Sequence, residues 1–154
     1  MKNLLLIFLF GFLFLNSCSK NNKIETVNIE EDQIKGQMIR AYQEGMVAFK
    51  GQFYIEAAKK FSEAEILFPQ SEWAPRSALM AAYAYYNDDY NNKAILELIN
   101  FFKKYPNDPN TSYAHYLLAM SYYNLIEDEK KDLEPLKNSK KQFEYIIKNY
   151  PNTE

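Results

Sequence analysis

The sequence has one cysteine and one histidine among its 154 residues. A single thiol excludes an internal disulfide framework and a cysteine-cluster metal site. The lone imidazole, His115, has no second histidine with which to build a metal centre and reads as a packed or solvated side chain. There is no Gly-rich phosphate loop. The net charge of −2 and a sequence pI near 5.6, with no Arg/Lys cluster, leave no electrostatic footprint for nucleic acid. Paired carboxylates are equally scarce: Glu63 and Glu65 are two residues apart, which places them on different sides of a helix. The acidic run Glu127-Asp128-Glu129 with Asp132 lacks the spacing of a calcium loop and reads as a solvated segment. No catalytic constellation, resident metal or small-molecule cofactor is therefore expected, and the protein is not expected to be an enzyme. The apolar run from Leu4 to Leu15 is also too short for a permanent membrane span, which needs about 20 residues.

That short run has a different meaning in context. Met1 to Ser17, MKNLLLIFLFGFLFLNS, places one lysine before an apolar segment and short polar residues after it, the layout of a secretory signal. Leu15-Asn16-Ser17-Cys18 then resembles a bacterial lipobox, with Leu at −3, a small residue at −1 and the only cysteine at +1; Asn16 departs from the usual choice at −2. The reading is a signal peptide over residues 1–17 and a lipid-modified Cys18 carrying S-diacylglycerol and an N-acyl chain. Each buried methylene contributes roughly 0.8 kcal/mol, so two or three chains hold a protein at a bilayer. The alternative is an ordinary cleaved signal with a chance cysteine. Ser19, rather than Asp, follows, as in lipoproteins sorted to the outer membrane. Residues 18–34 are polar and read as a flexible tether.

What remains is periodic. Gly45 is followed at +12 by Ala57, at +16 by Phe61, at +19 by Ala64 and at +24 by Pro69. Ala82, Ala94, Leu98, Phe101 and Pro106 repeat these offsets 37 residues later. Ala119, Ser139, Phe143, Ile146 and Pro151 repeat them again, with about eight extra residues inserted near 125–136. Helix pairs with small residues at their crossing and a proline after the second helix form the tetratricopeptide skeleton. The predicted fold is an all-α solenoid of antiparallel helix pairs, with repeats at 35–69, 70–106 and 107–151. Helices are expected at about 33–50, 54–68, 73–86 and 91–105, with Gly51-Gln52 and Asn87-Asp88-Asp89 as turns and Asn110 or Thr111 as a cap. Residues 152–154 match the start of a further repeat, so the sequence reads as a truncated product or fragment. The insertion is read either as a contact loop or as an inert one.

Aromatic residues make up 16 % of the sequence, with 13 tyrosines, and the repeat phase concentrates them. In such a stack the first helix of each pair lines the concave side. That places Ile39, Tyr42, Met46, Phe49 and Lys50 there from the first repeat, and Arg76, Leu79, Tyr83, Tyr86 and Asn87 from the second. The third gives Tyr113, Tyr116, Met120, Tyr123 and Asn124. Aromatic anchors of this kind are enriched at binding hot spots, so Tyr42, Met46, Phe49, Arg76, Leu79, Tyr83, Tyr86, Tyr113, Tyr116, Met120 and Tyr123 form a candidate groove for a peptide or partner. At least two of the tyrosines are expected to pack between neighbouring repeats instead.

Lipobox, short polar tether and Tyr-rich repeats together resemble the BamD/ComL family of outer-membrane β-barrel assembly lipoproteins. The likeness is carried between Ala41 and Tyr123 by Phe68-Pro69, Ser71 to Ser77, Ala82-Tyr83-Ala84-Tyr85-Tyr86, Phe101 to Pro109 and Tyr113 to Ala119, and the third-repeat insertion is a family trait. The departure is length, since the family usually has five repeats and about three are present here. The resemblance implies a non-enzymatic lipoprotein on the periplasmic face of the outer membrane, within the BAM complex. Its partners would be BamA, BamC, BamE, unfolded outer-membrane β-barrel proteins and, through the lipid, the bilayer. The family's N-terminal repeats are associated with a substrate-signal groove and with BamC, its C-terminal repeats with BamA and BamE. Two other readings compete: a generic periplasmic scaffold such as the coordinator of the Tol-Pal system, which would carry heptads before the repeats, and a docking subunit of an enzyme.

Overall fold

The computed structural model describes residues 23–126 and 132–152. The proposed signal peptide, Cys18, residues 18–22 of the tether, positions 127–131 of the insertion and residues 153–154 lie outside the described residues. Among those described there are six helices and no strands: α1 (Lys23–Lys50), α2 (Tyr54–Leu67), α3 (Trp73–Asn87), α4 (Asn91–Lys104), α5 (Thr111–Tyr123) and α6 (Glu134–Asn149). The chain divides into a segment over Met1–Asp32, whose described part is the beginning of α1, and a compact unit over Gln33–Glu154. Within the compact unit consecutive helices pack against one another, as in a tetratricopeptide-like solenoid.

The 37-residue period is written into the backbone hydrogen bonds. Phe53 N donates to Ala48 O at 2.9 Å and Tyr90 N to Tyr85 O at 3.0 Å. Gln52 N donates to Phe49 O, and Asp89 N to Tyr86 O, in the same register. Gln52 and Asp89 themselves adopt left-handed backbone, with φ of 63° and 58°. The turn between paired helices is thus one geometry used twice, and its left-handed position falls on Gln52, beside Gly51. At the next junction Ser71 N donates to Phe68 O and Asp108 N to Tyr105 O, again 37 residues apart.

Each second helix ends in one way. Phe68, Tyr105 and Tyr150 precede Pro69, Pro106 and Pro151, and all three leave the helical region, with φ/ψ of −142°/72°, −128°/56° and −131°/56°. A proline ring clashes with α-conformation in the residue before it, so the helix stops one residue earlier.

The helix crossings are made by the expected small residues. Ala41, Ala48, Ala57, Ala64, Ala82, Ala94 and Ala119 are all buried. Gly45 matters most: a Cβ there would lie 2.8 Å from two carbons of the Phe61 ring. Phe61 has 0 % exposure, so it has no free space into which to retreat. Burying such a ring contributes about 1.5–3 kcal/mol. In the second repeat the corresponding pair is Ala82 and Leu98, both at 0 % exposure.

Three local features differ from expectation. The first helix begins at Lys23 rather than near Gln33, so residues 23–34 of the predicted tether are helical. No proline or glycine interrupts 23–35, and a helix already nucleated propagates at little cost. Asn110 stands at the N-cap of α5 without capping it, because its Nδ2 donates to Asp108 Oδ1 at 3.0 Å. Finally, Glu134–Leu136, read as part of the insertion, belong to α6. Asp132 Oδ1 accepts from Glu134 N at 2.9 Å, and Pro135 occupies the first turn, where its missing N–H leaves no gap.

Candidate functional site

The first helices of the three pairs, α1, α3 and α5, bring their aromatic side chains into one line. The Phe49 ring stacks on Tyr83, with centroids 5.4 Å apart and planes at 26°. Tyr83 meets Tyr113 edge-on at 6.4 Å, and Tyr113 meets Tyr116 at 6.3 Å. Tyr116 in turn lies 6.4 Å from Phe143 on α6. Offset and edge-on arrangements at these separations suit the aromatic quadrupole.

Arg76, Leu79, Met80, Tyr83, Asn110 and Tyr113 line a depression of about 290 Å³ on this line. Leu79 is buried and forms its floor; Tyr113 is 42 % exposed at its edge. The Arg76 guanidinium carbon lies 5.4 Å from the centre of the Trp73 ring, a cation–π contact. Trp73 is itself held edge-on by Tyr42 at 5.2 Å. Burial raises the Tyr113 phenol above its ordinary pKa, and the neighbouring Tyr83, Tyr116 and Tyr86 act in the same direction. It therefore stands as a neutral hydrogen-bond donor at physiological pH.

The structure sorts the sequence-derived groove residues. Arg76, Leu79, Tyr83 and Tyr113 come together in the depression, with Phe49 and Tyr116 extending it through ring contacts. Tyr42 and Met46 pack against the core of the first pair, and Tyr42 reaches Trp73 of the second. Tyr86 packs against the core of the second and third pairs. Tyr123 is exposed and Met120 half-buried, and neither lines the depression. Trp73, Met80 and Asn110 are not among the groove residues expected from sequence. Trp73 and Met80 lie three residues before and four after Arg76, on the same helical face, which was the signal available.

Wider hollows of about 690 and 600 Å³ flank Phe53 on the outer side of the first pair. They are larger than the groove depression. Their central cation, Lys60, is already paired with Glu44 at 2.7 Å and Glu63 at 3.1 Å. Arg40, Glu44 and Val47 there occupy the register of Ser77, Ala81 and Ala84, which are fully buried in the second repeat. The first repeat thus carries Arg40 and Glu44 where the second carries small buried residues.

Two polar arrangements lie away from the groove. Glu65, 6 % exposed, accepts from Lys104 Nζ at 2.8 Å and from Tyr105 Oη at 2.9 Å. His115 is sandwiched between Phe102, at 4.1 Å, and Tyr145, at 4.3 Å, with Nδ1 2.8 Å from Gln142 Oε1. Burial pushes its pKa down, against the Gln142 contact. Among the described residues no group of His, Cys, Asp or Glu is placed to hold a metal ion. No described helix is long and apolar enough to cross a membrane.

Comparison with known proteins gives a family model described as YfiO, outer membrane lipoprotein, over residues 35–154. The chain is also similar to curated proteins named outer membrane protein assembly factor BamD. That of Caulobacter vibrioides is 36 % identical over 99 residues, covering 64 % of this chain and 32 % of the relative. That of Rickettsia prowazekii is 32 % identical over 124 residues, covering 80 % and 49 %. That of Neisseria meningitidis serogroup B is 29 % identical over 164 aligned residues, covering 99 % and 60 %. The chain therefore spans about a third to three fifths of the length of these relatives.

Proposed function

The chain belongs to the YfiO family of outer membrane lipoproteins, and on that premise we propose that it assists the assembly and insertion of β-barrel proteins into the outer membrane as a subunit of the BAM complex. The role is one of binding rather than catalysis. Cys18 carries the lipid, and the helical repeats stand on the periplasmic side. The names of the related assembly factors support this reading. A generic Tol-Pal scaffold is not favoured by them.

The observation that carries the mechanism is the aromatic line from Phe49 through Tyr83 and Tyr113 to Tyr116. Unfolded β-barrel strands alternate apolar and polar residues and carry aromatic girdles. An extended segment lying along this line would seat alternate aromatic side chains against tyrosines while its polar residues face water. Tyrosine suits this task, because a ring and a hydroxyl recognise an amphipathic strand without demanding one sequence. The repeats thereby hold a barrel precursor for transfer to BamA. BamC is proposed to meet the N-terminal repeats, and BamA and BamE the C-terminal side of the stack.

Affinity purification of the tagged chain from detergent-solubilised membranes tests the assignment. The proposal expects BamA to co-elute. It also expects Cys18→Ala to leave the chain in the soluble periplasmic fraction. Recovery of Tol-Pal components without BamA would overturn it.

A further inference from the structure

We infer that His115 is a pH-sensitive latch: its neutral ring fastens α6 to the rest of the stack, and a proton taken up by that ring in acid loosens the helix.

The repeat register shows what is unusual at this position. It is held by Ala41 in the first repeat and Ala78 in the second, both buried. A methyl group serves there twice; the third repeat places an imidazole instead. That imidazole is the middle plate of three rings from three helices. Phe102 of α4 lies on one side at 4.1 Å and 21°, and Tyr145 of α6 on the other at 4.3 Å and 41°. Gln142 of α6 adds a hydrogen bond, with its Oε1 2.8 Å from Nδ1. An amide oxygen only accepts, so Nδ1–H donates to it and Nε2 keeps the lone pair. α6 is otherwise lightly seated: Ser139 is its one buried residue, whereas α2 and α4 bury five each.

Acid acts on this stack through Nε2. A proton there puts a charge on a half-buried ring, and removal from water disfavours that charge. The charges on the packed helices oppose it too. α5 carries no Asp, Glu, Lys or Arg. α4 sets Lys93, Lys103 and Lys104 against Glu97, and α6 sets Lys137, Lys140, Lys141 and Lys148 against Glu134 and Glu144, so both are net positive. Tyr145 is the titratable group in ring contact. The faces of Phe102 and Tyr145 attract a cation, yet burial is the larger influence and holds the imidazole below its ordinary value of 6.5. The folded state therefore prefers the neutral ring. Its contribution is complete above pH 6.5 and is lost as pH falls below it. Porin channels are water-filled, so a chain on the periplasmic side of the outer membrane meets the pH of the medium. That setting rests on the proposed localisation; the latch itself does not.

His115 is the only histidine, so the full chain shows one imidazole Cε1–H resonance. Its NMR titration between about pH 8 and about pH 4.5 is expected to give a midpoint below 6.5. Hydrogen exchange, corrected for its intrinsic pH dependence, should show α6 losing protection relative to α3 as pH falls through that range. His115→Phe keeps a ring in the stack and removes the proton site, so the protection of α6 relative to α3 should no longer depend on pH. Gln142→Leu removes the acceptor that favours the charged ring, and should move the midpoint lower still. Circular dichroism checks that the variants fold; if His115→Phe does not, the native titration and Gln142→Leu decide. A native midpoint at or above 6.5 overturns the latch, because protonation would then tighten the stack. Unchanged protection of α6 in the native chain, or the same loss in His115→Phe, overturns it equally.

Discussion

Tyr105 Oη donates a 2.9 Å hydrogen bond to Oε1 of Glu65, a carboxylate whose side chain is 8 % exposed. Glu65 lies on α2 and Tyr105 follows α4, so the bond joins the second helices of two successive repeats. Lys104 reaches the same oxygen from an exposed position. A buried carboxylate that loses a donor is costly, and hydrogen bonds to charged groups are worth about 1.5–3 kcal/mol. Tyr105→Phe is therefore expected to destabilise the chain by about 1–3 kcal/mol, read as a lower urea midpoint at unchanged slope. Burial, then the bond to Glu65, raises the phenol far above its ordinary pKa. The folded state thus prefers the neutral phenol. Its contribution is complete below about pH 10, the unfolded value, and is lost as pH rises beyond it. Tyr105→Phe should show less of this alkaline loss.

Glu97 follows the same sign from the lower starting point of a carboxyl. Burial raises its carboxyl above the ordinary value, and Glu65 adds to the shift, against Lys104 and Lys93. The folded state binds this proton more tightly than the unfolded one, so the ionised carboxylate weakens the fold at neutral pH. Glu97→Gln is expected to raise the melting temperature near pH 7. The gain should shrink as pH falls toward 4, where both states hold the proton. Melting curves of the two proteins across pH 4–8 check it.

Much of this architecture was legible beforehand because it depends on local, repeated chemistry. Gly45, Ala57, Phe61 and Pro69 recur at fixed offsets, and both helix crossings and helix ends follow from them. The groove was legible only as a phase. The repeat register assigned Tyr42 and Tyr83 alike to the concave side, yet Tyr42 supports Trp73 while Tyr83 lines the depression. What separates them is which helix lies alongside, and that depends on stacking between repeats. Glu65 was hidden for the same reason. The sequence separates it from Glu63 by the turn of the helix, and only the passage of α4, about 40 residues later in the chain, supplies its partners.

Gly45→Ala tests the crossing of the first pair. The added methyl would meet the Phe61 ring at 2.8 Å, and overpacking a filled core costs about 1–3 kcal/mol. Alanine's better helix propensity returns up to about 1 kcal/mol. A net loss of about 1–2 kcal/mol is expected in chemical denaturation. Adding Phe61→Leu recreates the Ala82–Leu98 pair of the second repeat and should recover part of it.

Ser77 offers a stabilising change. Its Oγ is buried without a hydrogen-bond partner, and leaving such a group unpaired costs about 1–3 kcal/mol. The same register position in the third repeat is Ala114, at 0 % exposure. Ser77→Ala should raise the melting temperature, with no change in helix content by circular dichroism.

The central claim is that the tyrosine line holds unfolded β-barrel segments. A fluorescence titration with peptides from β-barrel C-termini, comparing the native chain with Tyr83→Ala and Tyr116→Ala, tests it most directly. Truncating a hot-spot aromatic costs about 2 kcal/mol or more, so the account predicts about thirty-fold or greater weakening in the Tyr83 variant. A smaller loss is expected at Tyr116, which lies at the edge of the line. Unchanged affinity in both folded variants would contradict the account.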